Sequence, residues 1–327
     1  MKRRDALTFG LAAMIAGAQV LGRASAQSPY PERPIKLVIP FAPGGLTDFV
    51  GRQWADKMKA LLGPVFTEHQ PGAGGAIGAA AVARASPDGY TLLLGSASQV
   101  LIPAAGRGPY DPIRDFVPIS MLVGAALTIA IHPAVPARSL QELLGYARAN
   151  PGKLSYASGG VGSTGHLTGE LFKALAGTPD IVHIPYKGAG QMIGDLLNGH
   201  VPVLVINVSA QVRDLHEAGK LKMLAVTTAM RTKIAPNVPT AVESGLPDMI
   251  FENFTGLFAP AGTPKPIVHQ IATATRAAMA DDEFRQKLIA SGFVPYVDFG
   301  PEKARRFVEE QIAHWTPMIK AIGLKLE

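Results

Sequence analysis

Short apolar runs, each broken by glycine and followed by a helical stripe, recur along this chain. Ile35-Lys36-Leu37-Val38-Ile39-Pro40 reads as a buried strand that Pro43-Gly44-Gly45 interrupts. Phe49, Val50, Trp54, Met58 and Leu61 follow at helical spacing, with Thr47 or Asp48 as the cap. Val65 to Glu68 is a second strand, and Pro71-Gly72-Ala73-Gly74-Gly75 leads into a small-residue helix from Ala76 to Ala85. Tyr90 to Gly95 is a third strand. Strand, loop, helix and strand repeated in this way predict a parallel α/β unit.

The pattern then starts again. Strands are predicted over Lys153–Ser158, Ile181–Pro185, Val201–Val208 and Leu221–Thr227, with helices over 165–176 and 189–197. Two long apolar stretches, Phe116–Ile131 and Ile250–Phe258, link the two units without a flexible linker. Helices from Pro264 onward are expected to pack on the first unit. The expected fold class is α/β, with two domains around a ligand cleft joined by two hinge crossings. Residues 27–125 and 254–327 would form domain 1, and residues 126–253 domain 2. Trp54 and Trp315 lie among apolar neighbours at helical spacing and are expected in the core.

The chain's start alters the picture of where it works. Met1-Lys2-Arg3-Arg4 is basic, residues 6–21 are largely apolar, and Ala24-Ser25-Ala26 supplies small residues for cleavage. That order predicts a secretory signal over residues 1–26 and a periplasmic mature protein. The apolar run is shorter than the roughly 20 residues that span a bilayer. Arg3-Arg4 fits either a twin-arginine signal or an ordinary basic segment. The formal charge is +6. Lys2, Arg3, Arg4 and Arg23, offset only by Asp5, sit in the leader and carry about half of it. The rest is scattered, whereas nucleic-acid binding requires a clustered basic stripe. The chain has no Cys and is 47% hydrophobic, so it must rest on an apolar core rather than disulfides.

Candidate chemistry lies in the glycine-rich loops. Ligands of open α/β sheets bind beyond the carboxyl ends of the strands. Phe41-Ala42-Pro43-Gly44-Gly45-Leu46-Thr47-Asp48 opens one helix, and Ser158-Gly159-Gly160-Val161-Gly162-Ser163-Thr164-Gly165-His166 opens another. Helix starts carry unpaired N–H groups and the positive end of the dipole, so they hold an anion without Lys or Arg. Ser158, Ser163 and Thr164 add hydroxyl donors. Ser96 and Ser98, after the third strand, form a further candidate loop. His166 is equally a satisfied core histidine, and Lys187 equally a solvated lysine. Two such loops facing one another would clamp a small carboxylate. Each charge-assisted hydrogen bond is worth about 1.5–3 kcal/mol.

Other chemistries find less support. Gly160-x-Gly162-x-x-Gly165 has the spacing of a dinucleotide-binding turn, but the next strand ends in Pro185-Tyr186-Lys187 rather than an acid. Asp180 precedes that strand, and an exported protein has poor access to nicotinamide cofactor. Ser163 and His166 lack a Gly-x-Ser-x-Gly elbow, so no catalytic residue is assigned. The eight His residues do not cluster with carboxylates, so neither a metal nor a cofactor is expected.

The chain resembles the substrate-binding proteins of tripartite tricarboxylate transporters, the Bug family, from about Tyr30 to the C-terminus. The likeness rests on Tyr30-Pro31-x-x-Pro34-Ile35, Phe41-Ala42-Pro43-Gly44-Gly45, Pro71-Gly72-Ala73-Gly74-Gly75 and Pro87-Asp88-Gly89-Tyr90-Thr91-Leu92. It continues in Tyr110-Asp111-Pro112, Asn150-Pro151-Gly152-Lys153-Leu154, His166-Leu167-x-Gly169-Glu170-Leu171-Phe172, Pro185-Tyr186-Lys187-Gly188 and Phe258-Ala259-Pro260-Ala261-Gly262-Thr263-Pro264. The resemblance implies a type II periplasmic-binding fold that closes on its ligand. It implies small carboxylate ligands, including di- and tricarboxylates, amino acids and aromatic acids, and membrane transporter subunits as partners. The ligand expected here is an aliphatic di- or tricarboxylate or an aromatic acid, and the receptor is expected to be monomeric. It places a ligand carboxylate on Ala42, Pro43, Gly44, Gly45, Thr47 and Asp48 and on Ser158 to His166.

Four positions depart from the family pattern: Leu46, Gln70, Pro202 and Ile206, the last beside Asn207. Two of them replace frequent acids, which implies a less acidic far wall and a ligand that is not an amino acid. A sensor subunit for a membrane kinase would use the same trap, and an exported enzyme is a further alternative.

Overall fold

Two antiparallel strands run side by side through the middle of the computed structural model, and the longer of them takes partners in both of its halves. The structure describes residues 30–104, 108–321 and 323. The expected leader, residues 1–26, lies outside them. Residues Arg33–Glu327 form one compact unit, and the account below concerns that unit.

The first half of the sheet is built on β1 (Ile35–Ile39), β2 (Val65–His69) and β3 (Thr91–Ser96), which pair in parallel in the order β2-β1-β3. β4 (Phe116–Ile131) and β9 (Glu252–Pro260) extend it antiparallel. The second half continues from β4 through β7 (Val203–Asn207), β5 (Ser155–Ser158) and β6 (Val182–Pro185). β8 (Lys222–Val226) and β10 (Val294–Pro295) also pair with β4. β4 pairs with β9 as far as Ala126 and takes β7 and β8 as partners from Leu127 onward. It is buried along nearly its whole length, as a strand covered on both faces should be.

Among the described residues, ten α-helices cover the sheet. They are α1 (Leu46–Leu61), α2 (Ala76–Ala83), α3 (Ala97–Ala104), α4 (Leu140–Ala149) and α5 (Thr164–Ala176). They continue with α6 (Ala189–Leu197), α7 (Ala210–Glu217), α8 (Lys265–Ala280), α9 (Asp282–Ala290) and α10 (Pro301–Ala321). The α/β class expected from the sequence is the one found, with element ends shifted by one or two residues. α3, α4 and α7 have no counterpart in the sequence reading. Their starts carry the local code nonetheless: Ser139 caps α4 by accepting the Glu142 N–H at 3.1 Å, a contact worth about 1 kcal/mol. Trp54 is fully buried between α1 and α8, where its indole N–H donates to Thr275 Oγ1 at 3.2 Å. Trp315, on α10, packs edge-on against Phe251.

Candidate functional site

The loop after β1 turns sharply into α1. Gly44 adopts φ +95°, a conformation that disfavours any side chain. Gly45 is the N-cap and has no side chain to offer, so no capping group covers the first turn. The Leu46 and Thr47 N–H groups have no hydrogen-bond partner among the described residues. Thr47 is only 4% exposed, and its hydroxyl is likewise unpartnered among them.

Asp48 supports this turn from behind. Its Oδ2 accepts the Gly44 N–H at 3.0 Å, and its Oδ1 pairs with Arg52 Nε and His69 Nε2, each at 2.7 Å. Burial pushes the carboxyl pKa up, but the hydrogen bonds from Gly44, Arg52 and His69 and the charge of Arg52 outweigh it. The pKa lies below the usual carboxylate value.

The second loop follows β5 in the same way. Gly160 and Gly162 take φ +118° and +79°. Ser163 caps α5, its Oγ accepting from the His166 N–H at 3.2 Å. That leaves the Thr164 and Gly165 N–H groups without partners among the described residues. Thr164 is 6% exposed, and its hydroxyl also has no described partner. Gly165 must be glycine, since a Cβ there would sit 2.5 Å from the Val205 carbonyl oxygen.

Behind this loop lies a stack of three rings. His166 packs on His183 at 4.1 Å between centroids, and His183 on Tyr156 at 4.8 Å. His166 Nδ1 accepts the Gly162 N–H at 3.1 Å, and His183 Nε2 meets Ser158 Oγ at 2.7 Å. Burial, helped by nearby Lys173 and only partly opposed by Glu170, lowers the His166 pKa to about 4. Burial, with His166 and Lys173 adding to it, lowers His183 to about 3. Both rings are therefore neutral at pH 7, which suits Nδ1 of His166 as an acceptor.

The two loops open onto one cavity of ≈ 220 Å³. Of the residues singled out from the sequence, Phe41, Ala42, Gly44, Gly45, Thr47, Ser96, Gly159, Ser163, Thr164 and Asn207 line it. Pro43, Asp48, Ser98, Ser158, Gly160, Gly162, His166 and Lys187 are not among its lining residues. Asp48, Ser158 and His166 form the supports just described, and Lys187 is exposed. Ser98 Oγ and Gln99 Nε2 donate to the Gly74 carbonyl and steady the turn that contains it.

Further residues join the wall. Gly188 and Ala189 start α6, and Ser209, Ala210 and Gln211 start α7, so four helix starts border the cavity rather than two. The cue was present in the chain, since glycine or serine follows a strand and precedes a helix at both places. Leu46, Phe49, Leu127, Met192, Ile193, Val205, Ile206 and Phe293 supply an apolar lining. Asn207 Oδ1 accepts from Asn253 Nδ2 at 3.0 Å, leaving its own amide N–H groups without a described partner. Among the described residues, no Asp, Glu, Lys, Arg or His lines the cavity.

Backbone approaches between glycine turns close the rim. The Ala42 N–H donates to the Lys187 carbonyl at 3.1 Å. The turn holding Gly74 lies against the second loop so tightly that a Cβ at Gly74 would come within 2.4 Å of the Gly162 carbonyl carbon.

Known proteins share this fold. The family model described as "Tripartite tricarboxylate transporter family receptor" matches residues 50–324. The chain is similar to the periplasmic binding protein BugD, at 35% identity and TM-score 0.86, over 90% of this chain and 99% of that one. It is similar to MatC from Rhodopseudomonas palustris, solved with bound malate, at 31% identity and TM-score 0.84, over 89% and 100%. It is also similar to the R. palustris protein Rpa4515, solved with adipate, at 33% identity and TM-score 0.81, over 90% and 99%.

Proposed function

Because the chain belongs to the tripartite tricarboxylate transporter receptor family, a family of receptors rather than enzymes, we propose that it captures a small carboxylate in this cleft and delivers it to a membrane transporter. The observation that carries this reading is the pair of helix starts with unpartnered N–H groups, at Leu46–Thr47 and Thr164–Gly165, on one cavity that no ionisable side chain of the described residues lines. Backbone dipoles and hydroxyls there favour an anion, and a carboxylate accepts two or more such bonds. MatC holds malate and Rpa4515 holds adipate, which are carboxylates and support the class of ligand.

Residues 1–26 serve as the export signal in this reading, and the periplasm is the working compartment. The family's solved members include periplasmic proteins, which supports it. Residues 27–125 with 254–327, and residues 126–253, act as two lobes that bend where β4 changes partners beside Ala126. The glycine approaches at the rim belong to the closed form.

The test pairs binding with transport. Calorimetry and thermal shift against a panel of small carboxylates should reveal at least one that binds and raises the melting temperature. Deleting the gene should abolish cellular uptake of that acid. Binding with unaltered uptake would argue against the transport role, and absence of binding by any acid would end the proposal.

A further inference from the structure

We infer that the cleft selects monocarboxylic acids with an apolar body over dicarboxylic acids and amino acids. This rests on the carboxylate-receptor reading above and narrows it to one class of ligand.

The first argument is the charge available. A helix start contributes about half a unit of positive charge. The two open starts, on α1 and α5, therefore balance about one carboxylate. Each also brings a threonine, Thr47 or Thr164, that as a residue is more than nine-tenths buried, lines the cavity and has a hydroxyl with no described partner.

Oxygen atoms of the protein lie at the other two helix starts. At α7 the Ala210 N–H donates to the Ser291 carbonyl at 3.1 Å, and the Val212 N–H to Ser209 Oγ at 3.3 Å. At α6 the carbonyls of the first loop press close: a Cβ on Gly188 would lie 3.1 Å from Ala42 O, and one on Gly190 3.5 Å from Pro43 O. These oxygens lie beside the positive end of α6 and offset part of its field.

The second argument is the remaining wall. Phe41, Phe49, Met192, Ile193, Ile206 and Phe293 make it apolar, and the Phe49 and Phe293 rings stand 5.7 Å apart at 58°. A second carboxylate would lose its water here and meet no cation. The ammonium of an amino acid would meet no carboxylate, since Asp48 is committed to Gly44, Arg52 and His69. The unpartnered amide N–H groups of Asn207 offer one place for a neutral oxygen, such as a keto or hydroxyl group.

Calorimetry with matched skeletons tests this. Hexanoate, adipate and norleucine share six carbons and differ in one charged group; benzoate and terephthalate form an aromatic pair. The expected result is that the tighter of hexanoate and benzoate binds at least tenfold better than its charged counterparts. Met192→Arg should shift preference toward the diacid by at least tenfold, with circular dichroism checking that the variant folds. Equal or tighter binding of adipate, terephthalate or norleucine by the unmodified protein would overturn the inference and leave the carboxylate-receptor reading standing. Failure of every acid tested would remove both.

Discussion

Asp48 takes the Gly44 N–H at 3.0 Å and so fixes the turn that presents the neighbouring N–H groups of Leu46 and Thr47 to the cavity. A carboxylate at the first turn of an anion-binding helix would compete with the ligand if its charge were free. Here Arg52 and His69 share it. Asp48 therefore shapes the site without lining it. Asp48→Asn should weaken carboxylate binding by about tenfold, the loss of one charge-assisted contact. Its depressed pKa gives stability that is fully present above the ordinary carboxylate value. That stability drains away as the pH falls through the lower native value. Urea titrations from pH 5 to pH 2 should show a shallower acid loss for the variant.

Thr47 and Thr164 carry hydroxyls that bond to nothing described in the protein. Replacing either with valine keeps the shape and removes only the donor. Each substitution should cost a bound carboxylate about 1.5–3 kcal/mol, or roughly ten- to hundredfold in affinity. Thermal stability without ligand should barely change. Calorimetry beside a melting curve separates the two effects, and a large fall in unliganded stability would contradict the assignment.

Gly74 faces the second loop at a distance that excludes a side chain. Gly74→Ala should hold that turn away from Val161–Ser163 and weaken ligand capture by at least tenfold. The strain of φ +60° adds about 1 kcal/mol of instability. Small-angle scattering with and without ligand would test it: the variant should fail to reach the compactness of the unmodified protein.

His166 and His183 are neutral when folded but regain an ordinary pKa when unfolded. Between about pH 6.5 and their native values of about 4 and 3, the unfolded chain binds more protons. Stability must therefore fall as the pH is lowered through that window and recover as it rises. His183→Phe keeps an aromatic ring in the stack and removes one titrating group. Its melting temperature should decline less steeply from pH 6.5 to pH 4.

The sequence made some of this legible and hid the rest for physical reasons. Phe116–Ile131 is continuously apolar, and a strand buried on both faces needs that. Both glycine loops announced themselves because strand-to-helix turns require positive φ and bare N–H groups. Side-chain direction was not local information. Thr47 and Asp48 are adjacent, yet one lines the cavity and the other turns back to Gly44 because Arg52 and His69 wait there. Ser163 and His166 divide in the same way, the ring being drawn under the loop by His183. Phe293 and Ser291 reach the wall from beyond α9, and no motif marks them, since tertiary packing alone brings that segment to the cleft.

Trp54 and Trp315 are the chain's only indoles. Both are sealed in the interior, and neither borders the cavity. Intrinsic fluorescence should accordingly stay dark to occupancy: saturating acid would leave emission wavelength and intensity almost unmoved. An optical titration needs an introduced reporter, and Phe49→Trp, opposite Phe293, would put one where a guest must touch it.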